Sequence, residues 1–374
     1  MKVDKISDRL WEKAGKQNVP LTGAFELLPA CNLKCKMCYV RLDMDEVNHR
    51  GGLLPAEVWL DYAGQARDMG MLYPLLTGGE PFLRKDFCEI YEGMHQMGLQ
   101  PSINSNGTLI DESTAEWLGE HAPTRINITL YGASEEAYEK LCGNGAAFEK
   151  VRNAVGFLKK YRVPIKFNTS ITKENVGEME KIMQFAKSVE TPIQVATYMF
   201  PPIRRNANMI GENHRLSPDE AALARVKSDW LRGDEKWFVG QAARFKHFVS
   251  LEEVMLHEQD ERKELAMSCR AGRCSFWLNW QGELGNCGMY TTHSISLKEK
   301  TFADAWKEIV NETDKIRYKP YCSVCPNGRL CHACIAMVHN ECGNGMGRPA
   351  YLCEMNQASA KYYQEFLQRL NDKN

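Results

Sequence analysis

Cys31-Asn-Leu-Lys-Cys35-Lys-Met-Cys38 puts three thiols within eight residues, separated by three residues and then by two. Thiolate is a soft ligand that suits zinc, Cu(I) or iron–sulfur clusters. A zinc site closed by cysteine alone takes four thiolates, usually from two well-separated pairs. Three thiols in one tight loop can instead hold three corners of a cubane cluster and leave its fourth iron open to a substrate or cofactor. Two further stretches, Gly78-Gly79-Glu80-Pro81 and Asn104-Ser105-Asn106-Gly107, join glycines to short polar side chains. Missing side chains let backbone approach a ligand closely. A second cysteine field begins at Cys269 and Cys274. It continues through Gly282-x4-Cys287 and Cys322-x2-Cys325-x5-Cys331-x2-Cys334 to Cys353. Its paired cysteines also fit a structural zinc site, although five residues between pairs is short beside the roughly twelve to twenty usual in zinc modules.

The Cys31, Cys35, Cys38 spacing, followed at once by Tyr39, resembles the cluster loop of the radical S-adenosylmethionine (radical SAM) enzymes. The resemblance implies that these three cysteines bind a 4Fe–4S cluster whose open iron is chelated by the amino and carboxylate groups of S-adenosylmethionine. An electron from the cluster would then cleave the sulfonium to methionine and a 5′-deoxyadenosyl radical, with Tyr39 shielding the cluster. The cofactor carries that chemistry, while the protein orients the radical and excludes competing reactions. Gly78, Gly79, Glu80 and Pro81 resemble the glycine-rich motif that meets the methionine amino group. Asn104, Ser105, Asn106, Thr129 and Tyr131 resemble the polar strand ends that contact ribose and methionine. Relatives often carry an arginine after the fourth strand for the cofactor carboxylate. Tyr138-Glu-Lys-Leu-Cys142 stands there instead, and Lys140, a point charge, cannot make a bidentate contact. The carboxylate partner stays open.

The second field resembles the SPASM extension of radical SAM enzymes, which holds two auxiliary 4Fe–4S clusters, three clusters in all. Carried over by order, Cys269, Cys274, Cys287 and Cys334 take one cluster, and Cys322, Cys325, Cys331 and Cys353 the other. Three plus eight ligands use eleven of the fourteen cysteines. The family's last gap usually holds three residues rather than two, a shortening that bears on Cys334. Of the rest, Cys88 and Cys142 read as small buried hydrophobes, and Cys342 lies in a glycine-rich loop.

The elements that must position these groups alternate along the chain. Strands are expected at Phe25–Leu28, Tyr73–Leu76, Pro101–Asn104, Arg125–Tyr131, Ile165–Ile171 and Ile193–Met199, with helices between them. Such alternation implies parallel βα units. Six units in about 200 residues fit an α/β fold, a partial (β/α)6 TIM-like barrel, with a small C-terminal α+β iron–sulfur (SPASM) domain. Chemistry in such barrels sits at the C-terminal ends of the strands, where the cysteine loop and both glycine-containing stretches fall. The expected organisation is a lead-in at 1–22, the barrel at 23–211, a helical bridge at 212–268 and the auxiliary-cluster domain at 269–374. Phe276–Trp280 and Glu283–Met289 read as a hairpin of that last domain.

Lys+Arg 47 against Asp+Glu 48 leaves a net charge of -1, without the basic excess of a general nucleic-acid binder. No run of eighteen apolar residues occurs, so no membrane span is expected. The charged N-terminus lacks the apolar core of a signal peptide. These features predict a cytoplasmic protein, where disulfides are rare and fourteen cysteines point to metal or catalysis.

Auxiliary clusters in this family accompany peptide modification, because oxidising a substrate radical requires a destination for an electron. The expected function is oxidative modification of a peptide, such as a thioether or carbon–carbon cross-link. A separate recognition protein and a reductant such as flavodoxin or ferredoxin would be partners. Two alternatives are formylglycine formation, as in anaerobic sulfatase-maturing enzymes, and radical dehydrogenation of a small molecule. The former typically use an aspartate directly after the Gly-x4-Cys cysteine, and here Gly288-Met289 follows Cys287. Tyr198, Arg204 and Arg205, near the sixth strand, are candidates to line the substrate cavity.

Overall fold

A computed structural model describes residues 6–201, 214–256, 262–267, 269–318, 321–331 and 333–372. Arg204 and Arg205 lie outside the described residues. Six strands, β1 (Thr22–Leu28), β2 (Tyr73–Gly78), β3 (Ser102–Ser105), β4 (Arg125–Thr129), β5 (Ile165–Ser170) and β6 (Ile193–Ala196), pair in parallel in chain order. They form the expected (β/α)6 partial barrel. Alternation along the strands separates two environments. Ile103, Ile126, Ile128 and Phe167 are fully buried in the main core, which also holds Trp59, Tyr91 and Tyr138 from the surrounding helices. Asn104 and Asn127, opposite each other in the β3–β4 register, project to the other face, where Asn127 Nδ2 donates to Asn104 Oδ1 at 2.9 Å. The barrel interior is therefore polar where its outside is greasy.

Beyond β7 (Leu265–Ala266) come β8 (Ser275–Leu278), β9 (Glu283–Cys287) and β10 (Tyr290–Ser296), and then β11 (Arg317–Tyr318), which pairs with β7. The expected hairpin forms as β8 and β9, and it gains β10 as a third antiparallel strand. It is not set apart. β8 pairs in parallel with β1, so one nine-stranded sheet runs β10-β9-β8-β1-β2-β3-β4-β5-β6. The reason lies in its own alternation: Phe276 and Leu278 are buried with Phe25, and the rings of Phe25 and Phe276 meet edge to face at 5.7 Å.

Local sequence sets the helix starts. Ser217 and Glu220 form a reciprocal capping box with Pro218 in the first turn of helix Pro218–Leu231. Asp43 and Glu46 do the same for helix Met44–His49, a short element that its charged sequence had hidden. Helix Ala350–Asn371 closes the fold and carries Cys353. Among the described residues, no helix is long and apolar enough to cross a membrane.

Candidate active site

The end of β2 turns against the end of β1 through two glycines. Gly78 has φ +142°, and a Cβ there would stand 2.2 Å from the Leu28 carbonyl oxygen. A Cβ on Gly79 would meet the Ala30 carbonyl oxygen at 2.0 Å. Bare backbone lets Gly79 N–H donate to Leu28 O at 2.8 Å and Glu80 N–H to Ala30 O at 3.0 Å. These glycines thus press the β2 end onto the entry to the cysteine loop, in addition to bordering the cavity beside it.

That cavity, about 370 Å³, is lined by Cys31, Cys35 and Cys38 together with Tyr39, Gly78, Gly79, Asn104, Ser105, Asn106, Thr129 and Tyr131. Glu80 and Pro81 do not line it. Glu80 is wholly buried beneath, accepting from Ser105 Oγ at 2.8 Å, Asn106 N at 2.7 Å and Phe82 N at 3.3 Å. Burial raises its carboxyl to about 7 against those three bonds. It clamps the Asn104–Gly107 turn to the glycine turn. Asn106 extends the clamp: its Nδ2 donates to Asn32 Oδ1 at 2.9 Å and reaches Cys31 Sγ at 3.6 Å.

Each thiol of the loop has N–H, O–H or S–H donors close by. Cys31 Sγ also accepts from Leu33 N at 3.5 Å, and Cys38 Sγ accepts from Arg41 N at 3.3 Å. Burial pushes the Cys31 thiol up to about 12. Cys35 moves the opposite way: hydrogen bonding from the Cys142 thiol, chiefly, and from the Tyr131 hydroxyl holds it below the usual range despite burial. Three soft ligands with donors aimed at their sulfurs fit an iron–sulfur cluster. The loop rests on the end of helix Glu135–Cys142, whose Cys142 and Leu141 carbonyls accept from Lys34 N and Lys36 N, both at 3.0 Å. Nothing in the local sequence announces that seat.

The far wall of the cavity is Ser170, Tyr198, Met199 and Phe200 from the β5 and β6 ends, with Met289 from the C-terminal hairpin. No charged side chain lines the cavity among the described residues. Tyr198 donates to Glu341 Oε1 at 2.8 Å, and Glu341 pairs with Arg215 at 2.6 Å, both side chains nearly buried. Lys140 is exposed and pairs with Glu136, away from the cavity. Gly288 abuts Trp277, whose ring would lie 2.6 Å from a Cβ at that position. Trp277 Nε1 donates to the buried Glu26 at 2.8 Å, so the indole is held in place.

The second cysteine field divides by proximity. Cys287 has Cys269 and Cys334 as electrostatic neighbours, and Cys274 has Cys269. Burial first, then Cys353 and Cys325, push the Cys322 thiol up to about 12. Cys331 reaches about 12 through burial and then Cys353, Cys325 and Cys322. Among the described residues, no three His, Cys, Asp or Glu side chains converge tightly enough for a single metal ion. Ligands of a cubane address different irons and stand further apart. Cys342 lies with this second group, a neighbour of both Cys322 and Cys353. Cys88, expected to be buried, is exposed: it sits on the outer face of helix Phe87–Gln96, whose buried face is Phe87, Ile90, Tyr91 and Met94.

Residues 25–186 match the family model of the Radical SAM superfamily. Over 350 residues the chain is 23% identical to the AdoMet-dependent heme synthase of Methanosarcina barkeri, spanning 89% of this chain and 96% of that protein. The PqqA peptide cyclase of Rhizobium meliloti is 25% identical over 48% of each chain. The solved structure of native anSMEcpe with bound AdoMet and Kp18Cys peptide superposes with a TM-score of 0.67 at 19% identity, covering 95% of this chain and all of that one. The match to that family model covers residues 25–186, and the protein is an enzyme of radical-based redox chemistry.

Proposed function

We propose that this enzyme oxidatively modifies a peptide, closing a thioether or carbon–carbon cross-link. The observation that carries the reading is the meeting of Cys31, Cys35 and Cys38 with Gly78, Gly79, Asn104, Asn106, Thr129 and Tyr131 around one cavity. Cys31, Cys35 and Cys38 would hold a 4Fe–4S cluster, which when bound supplies the electron that cleaves S-adenosylmethionine to a 5′-deoxyadenosyl radical. Gly78 and Gly79 offer backbone to the methionine end, and Asn104, Ser105, Asn106, Thr129 and Tyr131 offer polar atoms to the rest. Tyr198, Met199, Phe200 and Met289 enclose the reacting group and keep water from it. Within 269–374, Cys269, Cys274, Cys287 and Cys334 would hold one auxiliary cluster, and Cys322, Cys325, Cys331 and Cys353 a second. Such clusters would supply a destination for the electron lost when a substrate radical is oxidised. Flavodoxin or ferredoxin would be the reductant, and a separate protein would present the peptide.

A peptide substrate is supported by the relative named as a peptide cyclase and by the peptide bound to anSMEcpe. Formylglycine formation loses support from Gly288, since an aspartate there would strike the fixed Trp277 ring. A second reading, oxidation of a tetrapyrrole, is favoured by the near full-length match to a heme synthase.

The test is anaerobic incubation with dithionite, S-adenosylmethionine and either a cysteine-rich or aromatic precursor peptide or an iron coproporphyrin, followed by mass spectrometry. Loss of hydrogens from the peptide supports the proposal. Conversion of the porphyrin with the peptide untouched would overturn it in favour of the second reading.

A further inference from the structure

A second cavity, about 260 Å³, lies between the end of β6 and helix Pro218–Leu231. Tyr198 lines both this cavity and the one at the cysteine loop, so its side chain stands in the wall between them. Two arginines border the smaller cavity, Arg225 from the helix and Arg232 from just past its end. Arg225 is mostly buried, yet its described partners are all neutral. Its Nη1 donates to Asn356 Oδ1 at 2.9 Å and to Ser359 Oγ at 3.4 Å, and its Nη2 approaches Met355 Sδ at 3.8 Å. A guanidinium has five N–H donors, so donors are left over. A charge removed from water is costly unless it is paired. Asp229 also borders the cavity, but its oxygens are engaged: Oδ2 accepts from the Tyr363 hydroxyl at 2.6 Å, and Oδ1 lies 3.6 Å from Arg232 Nε. Two cations against one carboxylate and the negative end of the helix, worth roughly half a charge, leave the cavity positive. Thr197 and Ser228 line it too, 8% and 5% exposed, and neither hydroxyl has a hydrogen-bond partner among the described residues.

We propose that this cavity is a carboxylate subsite: Arg225, Arg232 and the hydroxyls of Thr197 and Ser228 hold a carboxylate of the substrate while its reacting group sits across Tyr198 at the cysteine loop. The planar fork of arginine matches a carboxylate, and hydrogen bonds between charged groups are about twice as strong as neutral ones. The subsite rests on the proposed function for the source of the carboxylate. On the peptide reading it is an aspartate or glutamate near the modified residue; on the tetrapyrrole reading it is a propionate at the macrocycle edge. Either way the charge anchors the substrate, and the uncharged main cavity is left to the reaction.

The test measures equilibrium binding to the full-length, anaerobically reconstituted protein without reductant, so that no turnover is needed. The probes are acetyl-glutamate methylamide, acetyl-glutamine methylamide and iron coproporphyrin III. The glutamate probe should bind about tenfold tighter than the glutamine probe. Arg232→Gln, at a side chain 39% exposed, should erase that preference, whereas Arg152→Gln on the outer surface should leave it intact. Loss of coproporphyrin affinity in Arg232→Gln, with no preference between the two small probes, would uphold the subsite and assign its carboxylate to a tetrapyrrole. The peptide reading would then fail while the subsite stands. Affinities for the glutamate probe and for coproporphyrin that are both unchanged in Arg232→Gln would overturn the proposal.

Discussion

The backbone N–H of Asn106 donates to Glu80 Oε2 at 2.7 Å, which fastens the turn after β3 to the glycine turn after β2. Glu80→Ala removes the acceptor for Asn106, Ser105 and Phe82 together and should cost about 1–3 kcal/mol in the metal-free protein. The cost should depend on pH. The Glu80 carboxyl is raised from 4.5 to about 7, so the folded chain holds this proton more tightly than the unfolded one. Its contribution is full below the unfolded value and is lost as pH rises through the folded value. Urea unfolding should show the gap between parent and Glu80→Ala narrowing from about pH 5 to about pH 8. A gap that widened would refute this reading of the clamp.

Gly79→Ala should unfold more easily by at least about 2 kcal/mol, since its methyl would stand 2.0 Å from the Ala30 carbonyl oxygen and backbone must shift. Gly177→Ala, a position where a Cβ meets nothing, serves as the control and should be near neutral. Thermal melts of the two variants decide the matter; equal melting would mean the two strand ends are not in close contact.

Arg215 and Glu341 join the segment after β6 to helix Ile335–Cys342 across 126 residues of chain. Arg215→Ala strands a buried carboxylate and should cost about 3–5 kcal/mol. Tyr198→Phe loses one hydrogen bond and should cost about 1 kcal/mol. Denaturant midpoints that ranked the two the other way would show the ion pair to be incidental.

Gly288→Asp should not confer formylglycine formation on a cysteine-containing sulfatase peptide. Its Cβ would displace Trp277 and strain the bond to Glu26, at a cost of about 1–3 kcal/mol. Peptide mass spectrometry showing the aldehyde product would contradict this steric argument.

What the sequence revealed follows from how far each signal reaches along the chain. The three-cysteine loop, the strand ends at Gly78 and Asn104, and the six βα units are each written within a few residues. The capping box at Ser217 is equally local. The pairing of β8 with β1 joins segments some 250 residues apart, and a short alternating run does not say which edge it will meet. Separations of 143 and 126 residues likewise hide the Tyr198–Glu341–Arg215 contact. Glu80 looked like a cavity residue because it directly follows Gly78 and Gly79, which are, but the turn points it inward to the amides of the neighbouring loop. Cys142 and Cys88 share a residue type, and helical phase alone sends one to the cluster loop and the other to solvent.

The most direct measurement is 5′-deoxyadenosine released when the anaerobically reconstituted protein meets dithionite and S-adenosylmethionine, read beside a Cys31→Ala, Cys35→Ala, Cys38→Ala variant. The account predicts product from the parent, none from the variant, and retained iron at the C-terminal cysteines of the variant. Product from the variant, or none from an iron-loaded parent, would contradict it.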